Sequence, residues 1–180
     1  MTLMSYTDSM NTSKIILITG GQRSGKSALS ERLALEHSDT RVYIASAEVR
    51  DEEFRRRVLL HQARRGPQWT TFEEQLHPSR LNLSGRCILL DCVTMWATNA
   101  FFHHNEDVAA ALSFLKEEFD RLVSPPGTYI FVSNEIGSGG VADNAMQRAF
   151  TDLQGWFNQY IASRADEVYL TVAGLPLKIK

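Results

Sequence analysis

One segment near the start of the chain combines residues whose types and spacing bind phosphate. Gly20, Gly25, Lys26 and Ser27 fill the pattern G-x-x-x-x-G-K-[ST], after a short apolar run and before a helix-like segment. The glycines let backbone N–H groups curl around phosphate oxygens, because no Cβ stands in the way. In this pattern the lysine reaches the β- and γ-phosphates and the serine hydroxyl is placed to coordinate Mg²⁺. The segment therefore predicts a nucleotide-binding phosphate loop, followed by a helix whose positive end faces the same anion.

A second apolar run ends in an acidic residue. Asp91 follows Ile88, Leu89 and Leu90, so it would lie at the carboxyl edge of a sheet, beside the phosphate loop. Carboxylate oxygens are ligands for hard cations, and Asp91 could hold Mg²⁺ or its water there. An aspartate at the end of a strand also commonly caps a helix. Together with the phosphate loop, the pattern favours the metal role.

A third candidate is a histidine within an arginine-rich segment, residues 55–73. If Arg57 and His61 share a helix, they lie on one face, with Arg64 and Arg65 about a turn further on. Guanidinium groups pair with phosphate oxygens, and a neutral imidazole is a competent nucleophile at physiological pH. Because charge runs usually mark solvated faces, these residues alone favour a basic helix that carries an incidental histidine.

The elements that must position these residues alternate along the chain. The predicted strands are 14–19, 41–45, 86–91, 128–133 and 167–173, and the predicted helices are 28–37, 48–64, 108–123 and 143–165. The strands are continuously apolar, which indicates a sheet covered on both faces. This order predicts an α/β fold of the P-loop NTPase-like, RecA-like kind, with a mostly parallel central sheet flanked by helices.

Composition limits the function classes further. The chain has 180 residues, of which 43% are hydrophobic, enough for one sizeable core. A net charge of −2 gives no general attraction to nucleic acid or to an anionic membrane. The two cysteines, Cys87 and Cys92, look like small buried hydrophobes of a reduced, cytoplasmic protein, because no second ligand cluster accompanies them.

The layout of the chain predicts one catalytic domain. No apolar run approaches the length of a membrane span. Residues 1–13 are polar and lack the layout of a signal peptide, so we expect a disordered leader there. We expect residues 14–180 to form one nucleotide-binding catalytic domain.

Several sequence blocks resemble one known enzyme family. The blocks are TGGQRSGKS (19–27), VYIASAE (42–48), the histidine block, LLDCVTMWATN (89–99), SNEIGSGGV (133–141) and GWFNQYIASRADEVYLTVAGLPLKIK (155–180). In this order and spacing they resemble the bifunctional adenosylcobinamide kinase / adenosylcobinamide-phosphate guanylyltransferase of cobalamin biosynthesis. The resemblance extends from about Lys14 to the last residue, and it favours a catalytic His61 over an incidental one.

The resemblance implies two reactions on one corrin substrate. A nucleoside triphosphate, ATP or GTP, gives its γ-phosphoryl group to the aminopropanol hydroxyl of adenosylcobinamide. GTP then gives GMP to the resulting phosphate by way of a guanylylated histidine, for which His61 is the matching position, and pyrophosphate is released.

The resemblance also implies a set of binding residues. The nucleotide-binding positions are Thr19, Gly20, Gly21, Gln22, Arg23, Ser24, Gly25, Lys26, Ser27, Ala45, Ser46, Ala47, Gln62, Ala63, Arg64, Arg65, Glu73 and Asp91. Lys26 and His61 would be catalytic, and Ser27 and Asp91 would hold Mg²⁺. Glu73 could accept hydrogen bonds from guanine N1 and N2, which would favour GTP over ATP. The family works as an oligomer, so we expect a homo-oligomer, with a trimer as the candidate assembly.

Two other interpretations stay open on the sequence. One is a monofunctional small-molecule kinase that uses the phosphate loop and Asp91 without His61. The other is a nucleotide-dependent switch protein whose residues 55–65 contact a polyanion such as RNA, although the net charge of −2 counts against it. Asn134 and Glu135 are expected at the same sheet edge as the phosphate loop, where they would contact substrate or γ-phosphate or stabilise a turn.

Overall fold

A seven-stranded sheet forms the centre of the computed structural model, which describes residues 12–47 and 66–180. The strands are β1 (Ser13–Gly20), β2 (Arg41–Ala45), β3 (Trp69–Glu73), β4 (Cys87–Asp91), β5 (Gly127–Asn134), β6 (Glu167–Val172) and β7 (Leu175–Lys178). The helices in the described ranges are α1 (Lys26–His37), α2 (Val93–His103), α3 (Val108–Val123) and α4 (Ala145–Arg164), with a short 3₁₀ turn at Pro78–Arg80. The strands lie in the order β3-β2-β4-β5-β1-β6-β7.

The sheet is mostly parallel, as the alternation of strands and helices predicts. Strands β1 to β6 pair in parallel, and only β7 runs antiparallel, against β6. Parallel pairing brings the carboxyl ends of the strands to one edge of the sheet. In register, Gly20 lies opposite Asn134, and Ala45 lies between Asp91 and Glu73. This edge therefore carries those residues singled out for chemistry that lie in the described strands.

Helices bury both faces of the sheet, which explains why the central strands are continuously apolar. Helices α2, α3 and α4 cover one face, where Leu17 and Phe131 pack with Trp96 and Phe119. Helix α1 covers the other face. The buried residues on the α1 face are Ile16, Ile18, Leu29, Ala34, Tyr43, Cys87, Leu89, Ile130 and Val132.

Local sequence accounts for the bounds of the two longest helices. Helix α3 begins at the predicted residue because the Asp107 side chain accepts a hydrogen bond from the Ala110 N–H at 3.0 Å. Asn144 caps α4 in the same way, with a 2.6 Å bond from the Gln147 N–H. Helix α4 consequently begins at Ala145, two residues later than predicted.

The predicted strands match the observed ones to within one residue at each end. Strand β1 begins at Ser13, the last residue of the predicted leader, whose hydroxyl donates to the Val123 carbonyl at 2.6 Å. Residues 1–11 of that leader lie outside the described residues. So does all of the predicted helix 48–64.

Three elements were absent from the sequence-based prediction. Strand β3 is an edge strand of half-buried and exposed residues, and its sequence WTTFE has no apolar run. Strand β7 is fully exposed and contains a proline, which is typical of sheet edges. Helix α2 has apolar residues around most of its circumference because it is buried between the sheet and the other helices, so it lacks a clear amphipathic period.

Within residues 12–47 and 66–180, no helix combines the length and the apolarity needed to span a bilayer.

Candidate active site

The phosphate loop connects β1 to α1, and its glycines are required by the backbone. Gly20 has φ 152° and Gly25 has φ 103°, a region that side-chain-bearing residues rarely adopt. A Cβ on Gly20 would lie 2.5 Å from the Thr171 carbonyl oxygen, and one on Gly25 would lie 3.0 Å from Gly174 Cα. The loop is therefore held at close range by β6 and by the turn that follows it.

Hydrogen bonds also connect the phosphate loop and the end of β1 to β6 and to the turn after it. The Thr171 hydroxyl lies 2.7 Å from the Ser24 hydroxyl and donates to the Thr19 carbonyl at 3.2 Å. The Gly174 N–H donates to the Ser24 carbonyl at 2.9 Å. Sequence reasoning did not identify Thr171, which stands in an ordinary apolar strand pattern and gives no local signal of this role.

The tip of the phosphate loop is exposed to solvent, whereas its lysine is buried. Gly21, Gln22 and Arg23 are exposed, whereas Lys26 is 7% exposed. The Lys26 ammonium donates to the carbonyls of Gly20 at 2.9 Å and Gly21 at 2.6 Å. Burial lowers the pKa of Lys26 below its ordinary value, against the opposing effect of the Asp91 carboxylate. A bound polyphosphate would raise this pKa again, because it places negative charge beside the ammonium.

Ser27 and Asp91, the two predicted metal ligands, meet at the carboxyl edge. The Ser27 hydroxyl donates to Asp91 Oδ2 at 3.3 Å. A hydroxyl and a carboxylate oxygen at this distance suit Mg²⁺, which takes oxygen ligands and fills its other positions with phosphate oxygens and water. No cluster of three or more His, Cys, Asp or Glu residues occurs in the described parts of the chain. The donor set at Ser27 and Asp91 thus fits a cation held jointly with a nucleotide.

Ser46 supports the strand that carries Asp91. Its hydroxyl donates to the Cys92 carbonyl at 2.7 Å and accepts from the Cys92 N–H at 3.1 Å. The Asn99 side chain donates to the Ser46 carbonyl at 2.7 Å. Because Ser46 is fully buried, its hydroxyl holds the residue after Asp91 and is engaged within the protein. Ala45 and Ala47 flank it at the end of β2.

Glu73 lies at the far end of the same edge. It ends β3, which is four strand positions from β1, and strands lie about 4.8 Å apart, so Glu73 is roughly 19 Å across the sheet from Gly20. Its side chain is exposed. The structure thus brings Thr19–Ser27 and Asp91 together and places Ala45–Ala47 and Glu73 further along.

The remaining predicted site residues lie outside the described part of the chain. They belong to the segment between β2 and β3 and are His61, Gln62, Ala63, Arg64 and Arg65.

Comparison with known proteins adds independent information. The model of the family described as cobinamide kinase / cobinamide phosphate guanyltransferase matches residues 16–179. The bifunctional adenosylcobalamin biosynthesis protein CobP of Pseudomonas aeruginosa is 43% identical over 91% of this chain and 96% of its own length. The bifunctional adenosylcobalamin biosynthesis protein CobU of Escherichia coli is 34% identical over 92% of this chain and 99% of its own length.

A solved structure supports the fold. A structure described as an ATPase from the type III secretion system of pathogenic bacteria superposes with a TM-score of 0.55 at 15% identity. The match covers 92% of this chain and 56% of that chain. At this identity the likeness concerns the fold, and it agrees with the predicted P-loop NTPase-like, RecA-like architecture.

Proposed function

The chain belongs to the cobinamide kinase / cobinamide phosphate guanyltransferase family, and from that membership we propose which residues carry its two reactions. It is a transferase of adenosylcobalamin biosynthesis that acts first as a cobinamide kinase and then as a cobinamide phosphate guanylyltransferase. Its substrates are a cobinamide and a nucleotide. We further propose that residues 14–180 form one catalytic domain acting in the cytoplasm, where Cys87 and Cys92 stay reduced.

In the kinase reaction, the phosphate loop holds the triphosphate of ATP or GTP. Backbone N–H groups of residues 20–27 bind phosphate oxygens, and the Lys26 ammonium leaves the Gly20 and Gly21 carbonyls to contact the β- and γ-phosphates. Ser27 and Asp91 would hold Mg²⁺, which neutralises charge on the triphosphate when bound. The aminopropanol hydroxyl oxygen bonds to the γ-phosphorus, the bridging oxygen leaves with the nucleoside diphosphate, and the hydroxyl proton passes to water.

In the guanylyl transfer, His61 is the nucleophile. Its neutral imidazole nitrogen bonds to the α-phosphorus of GTP while pyrophosphate leaves with the bridging oxygen. A phosphate oxygen of the cobinamide phosphate then displaces the imidazole, so the P–N bond breaks and cobinamide-GDP forms. Arg64 and Arg65 follow His61 closely in sequence, and their guanidinium groups pair with phosphate oxygens.

The exposed carboxylate of Glu73 accepts hydrogen bonds from guanine N1 and N2 in this proposal. Ala45 and Glu73 end the neighbouring parallel strands β2 and β3 and lie in register, and the segment that carries His61 leaves β2 at this same edge. This adjacency supports a guanine nucleotide at the β2–β3 end of the sheet edge. Gln62 and Ala63, directly after His61, complete the proposed contacts.

One observation carries the proposal most directly, namely the meeting of Lys26, Ser27 and Asp91 at one edge of the sheet. We expect Asp91→Asn to lower the kinase kcat about 100-fold and to raise the Mg²⁺ concentration for half-maximal rate at least tenfold, because an amide is a weaker cation ligand than a carboxylate. Mg²⁺ titrations of kinase activity at saturating nucleotide measure both quantities.

Ser27 provides matched controls for this experiment. Ser27→Thr keeps the hydroxyl and should retain most activity, whereas Ser27→Ala should shift the Mg²⁺ dependence in the same direction as Asp91→Asn. An Asp91→Asn enzyme with the wild-type Mg²⁺ dependence would contradict the metal assignment.

We also propose that the chain assembles as a homo-oligomer, with a trimer as the expected form. Leu175 is 74% exposed, Leu177 62% and Ile179 61%, and they alternate along the open edge strand β7 and its continuation. Exposed apolar residues in such an arrangement are typical of an interaction surface. Light scattering should give a mass near three times 20.3 kDa. A monomer at assay concentrations would contradict the proposal.

A further inference from the structure

Asn134 occupies the strand end between the two halves of the phosphate site. Strand β5 lies between β1, which leads into the phosphate loop, and β4, which ends at Asp91. Asn134 is the last residue of β5 and lies in register with Gly20, while Asp91 lies in register with Val132 two residues earlier. Asn134 is therefore one strand spacing, about 4.8 Å, from Gly20 of β1, and it lies two residues beyond the level at which β4 ends.

Strand alternation directs the Asn134 side chain toward the phosphate loop. Ile130 and Val132 belong to the core on the α1 face, and Asn134 follows them at the same period of two. By the same rule Asp91 follows Leu89 on that face, which agrees with its hydrogen bond to Ser27 of α1. The Asn134 amide thus shares a side of the sheet with Ser27 and Asp91.

The backbone of Asn134 is fixed while its side chain is available. Its N–H donates to the Thr94 hydroxyl at 3.0 Å, and its carbonyl accepts from the Asn158 side-chain amide at 3.5 Å. Among residues 12–47 and 66–180, no hydrogen bond engages the Asn134 side-chain amide. Thr94 lies in the first turn of α2, three residues after Asp91, so this helix end holds the backbone of Asn134 close to the strand that carries Asp91.

A buried polar cluster anchors this strand end to α4. The Ser133 hydroxyl donates to Asn158 Oδ1 at 2.6 Å, and Gln154 Nε2 donates to the Ser133 hydroxyl at 2.7 Å. Ser133 is 0% exposed and Gln154 is 1% exposed. These buried hydrogen bonds hold Ser133 and the two α4 side chains in one arrangement. Here the network points away from the phosphate loop, on the opposite face from the Asn134 side chain.

We propose that the Asn134 amide is a catalytic residue of the kinase reaction, donating a hydrogen bond from Nδ2 to a γ-phosphoryl oxygen. It spreads the charge of the transferring group as the bond from the γ-phosphorus to the bridging oxygen breaks and the bond to the cobinamide hydroxyl forms. Thr94 and Asn158 are positioning residues that act through the backbone of Asn134. This inference rests on the proposed binding of the triphosphate at the phosphate loop.

Guanylyl transfer provides the internal control, because it takes place at the α-phosphorus. We expect Asn134→Ala to lower the kinase kcat about 100-fold, with a smaller change in nucleotide KM, since one donor to a transferring oxygen is lost. Guanylyl transfer from GTP to supplied cobinamide phosphate should change less than about fivefold. Asn134→Asp, which is isosteric but repels phosphate, should lose at least as much kinase activity and serves as the second variant if Asn134→Ala does not fold.

Conservative variants separate positioning from simple structural damage. Thr94→Ser keeps the hydroxyl and should keep kinase activity near wild type, whereas Thr94→Val should lower the kinase kcat about tenfold and leave guanylyl transfer unchanged.

The outcomes distinguish this inference from the proposed function. Kinase activity of Asn134→Ala within about threefold of wild type, or an equal loss of both activities, would overturn the role of Asn134. Nucleotide binding at the phosphate loop is tested separately with Lys26→Ala. If Lys26→Ala loses activity and Asn134→Ala does not, the role of Asn134 is wrong and the proposed function stands.

Discussion

Replacing Lys26 with alanine is expected to lower the rates of both phosphoryl transfer and guanylyl transfer by about 10²–10³-fold without unfolding the protein. The ammonium is the only charge that the described loop, residues 20–27, buries beside the phosphate site, since Arg23 is exposed. Its loss removes charge stabilisation from both phosphorus centres. Rates of each half-reaction, measured with its own purified substrate, give the two effects separately.

Because Lys26 also contacts the backbone of its own loop, the Lys26→Ala experiment needs controls for folding. The ammonium also bonds the Gly20 and Gly21 carbonyls, so circular dichroism and thermal unfolding should accompany the rates. Lys26→Arg keeps the charge but not the compact ammonium, and it should retain more nucleotide affinity than Lys26→Ala. A folded Lys26→Ala protein with near-normal guanylyl transfer would show that the loop serves only the kinase reaction.

The lowered pKa of Lys26 adds a dependence on pH. Burial favours the neutral amine in the free protein, whereas a bound triphosphate favours the ammonium, so binding raises the pKa toward or above its ordinary value. Binding therefore takes up a proton at alkaline pH, and affinity should fall as the pH rises above the lowered pKa of the free protein. Calorimetry in two buffers of different ionisation enthalpy measures this uptake, which should be absent in Lys26→Ala.

Replacing His61 with alanine is expected to separate the two activities. Guanylyl transfer should fall by at least about 10³-fold because its nucleophile is lost, whereas kinase activity should stay measurable because γ-phosphoryl transfer needs positioning and charge. His103→Ala is a matched control, since His103 is an exposed histidine at the end of α2. If both activities vanish in a folded His61→Ala enzyme, His61 also shapes the shared triphosphate site.

Sequence reasoning identified the parts of the site that depend on local patterns. The phosphate loop was predicted because its glycines, lysine and serine are contiguous, and Asp91 because it directly ends an apolar strand. The observed bond between Ser27 and Asp91 follows from parallel pairing, which places strand ends at one edge. The strands themselves were predictable because both of their faces are buried, which leaves an uninterrupted apolar run.

Contacts between distant parts of the chain were not predictable in this way. Thr171 lies 147 residues from Ser24, whose hydroxyl it contacts, and its own strand gives no sign of that partner. Thr94 and Asn158 likewise meet Asn134 only because α2 and α4 pack at the same strand end. Edge strands β3 and β7 escaped prediction for a related reason, since their half-buried or exposed residues lack an apolar period.

The strand order also refines the predicted site. Glu73 was grouped with the phosphate-loop residues by resemblance, but β2, β4 and β5 separate its strand from β1. That separation depends on the order of the strands in the sheet. Strands that are distant in sequence are neighbours there, and no local sequence pattern specifies which of them pair. The separation is the reason for proposing that guanine is bound at the β2–β3 end of the edge.

The most direct test of the two-reaction mechanism is to trap the covalent nucleotide. Wild-type enzyme incubated with Mg²⁺ and GTP labelled at the α-phosphate should retain the label after denaturation, and peptide mapping should place it on His61. A P–N bond predicts that the label survives alkali and is lost in acid, unlike a serine ester. The label should also transfer to added cobinamide phosphate. A label on another residue, or no label in an enzyme that still transfers GMP, would contradict the guanylyl-histidine mechanism.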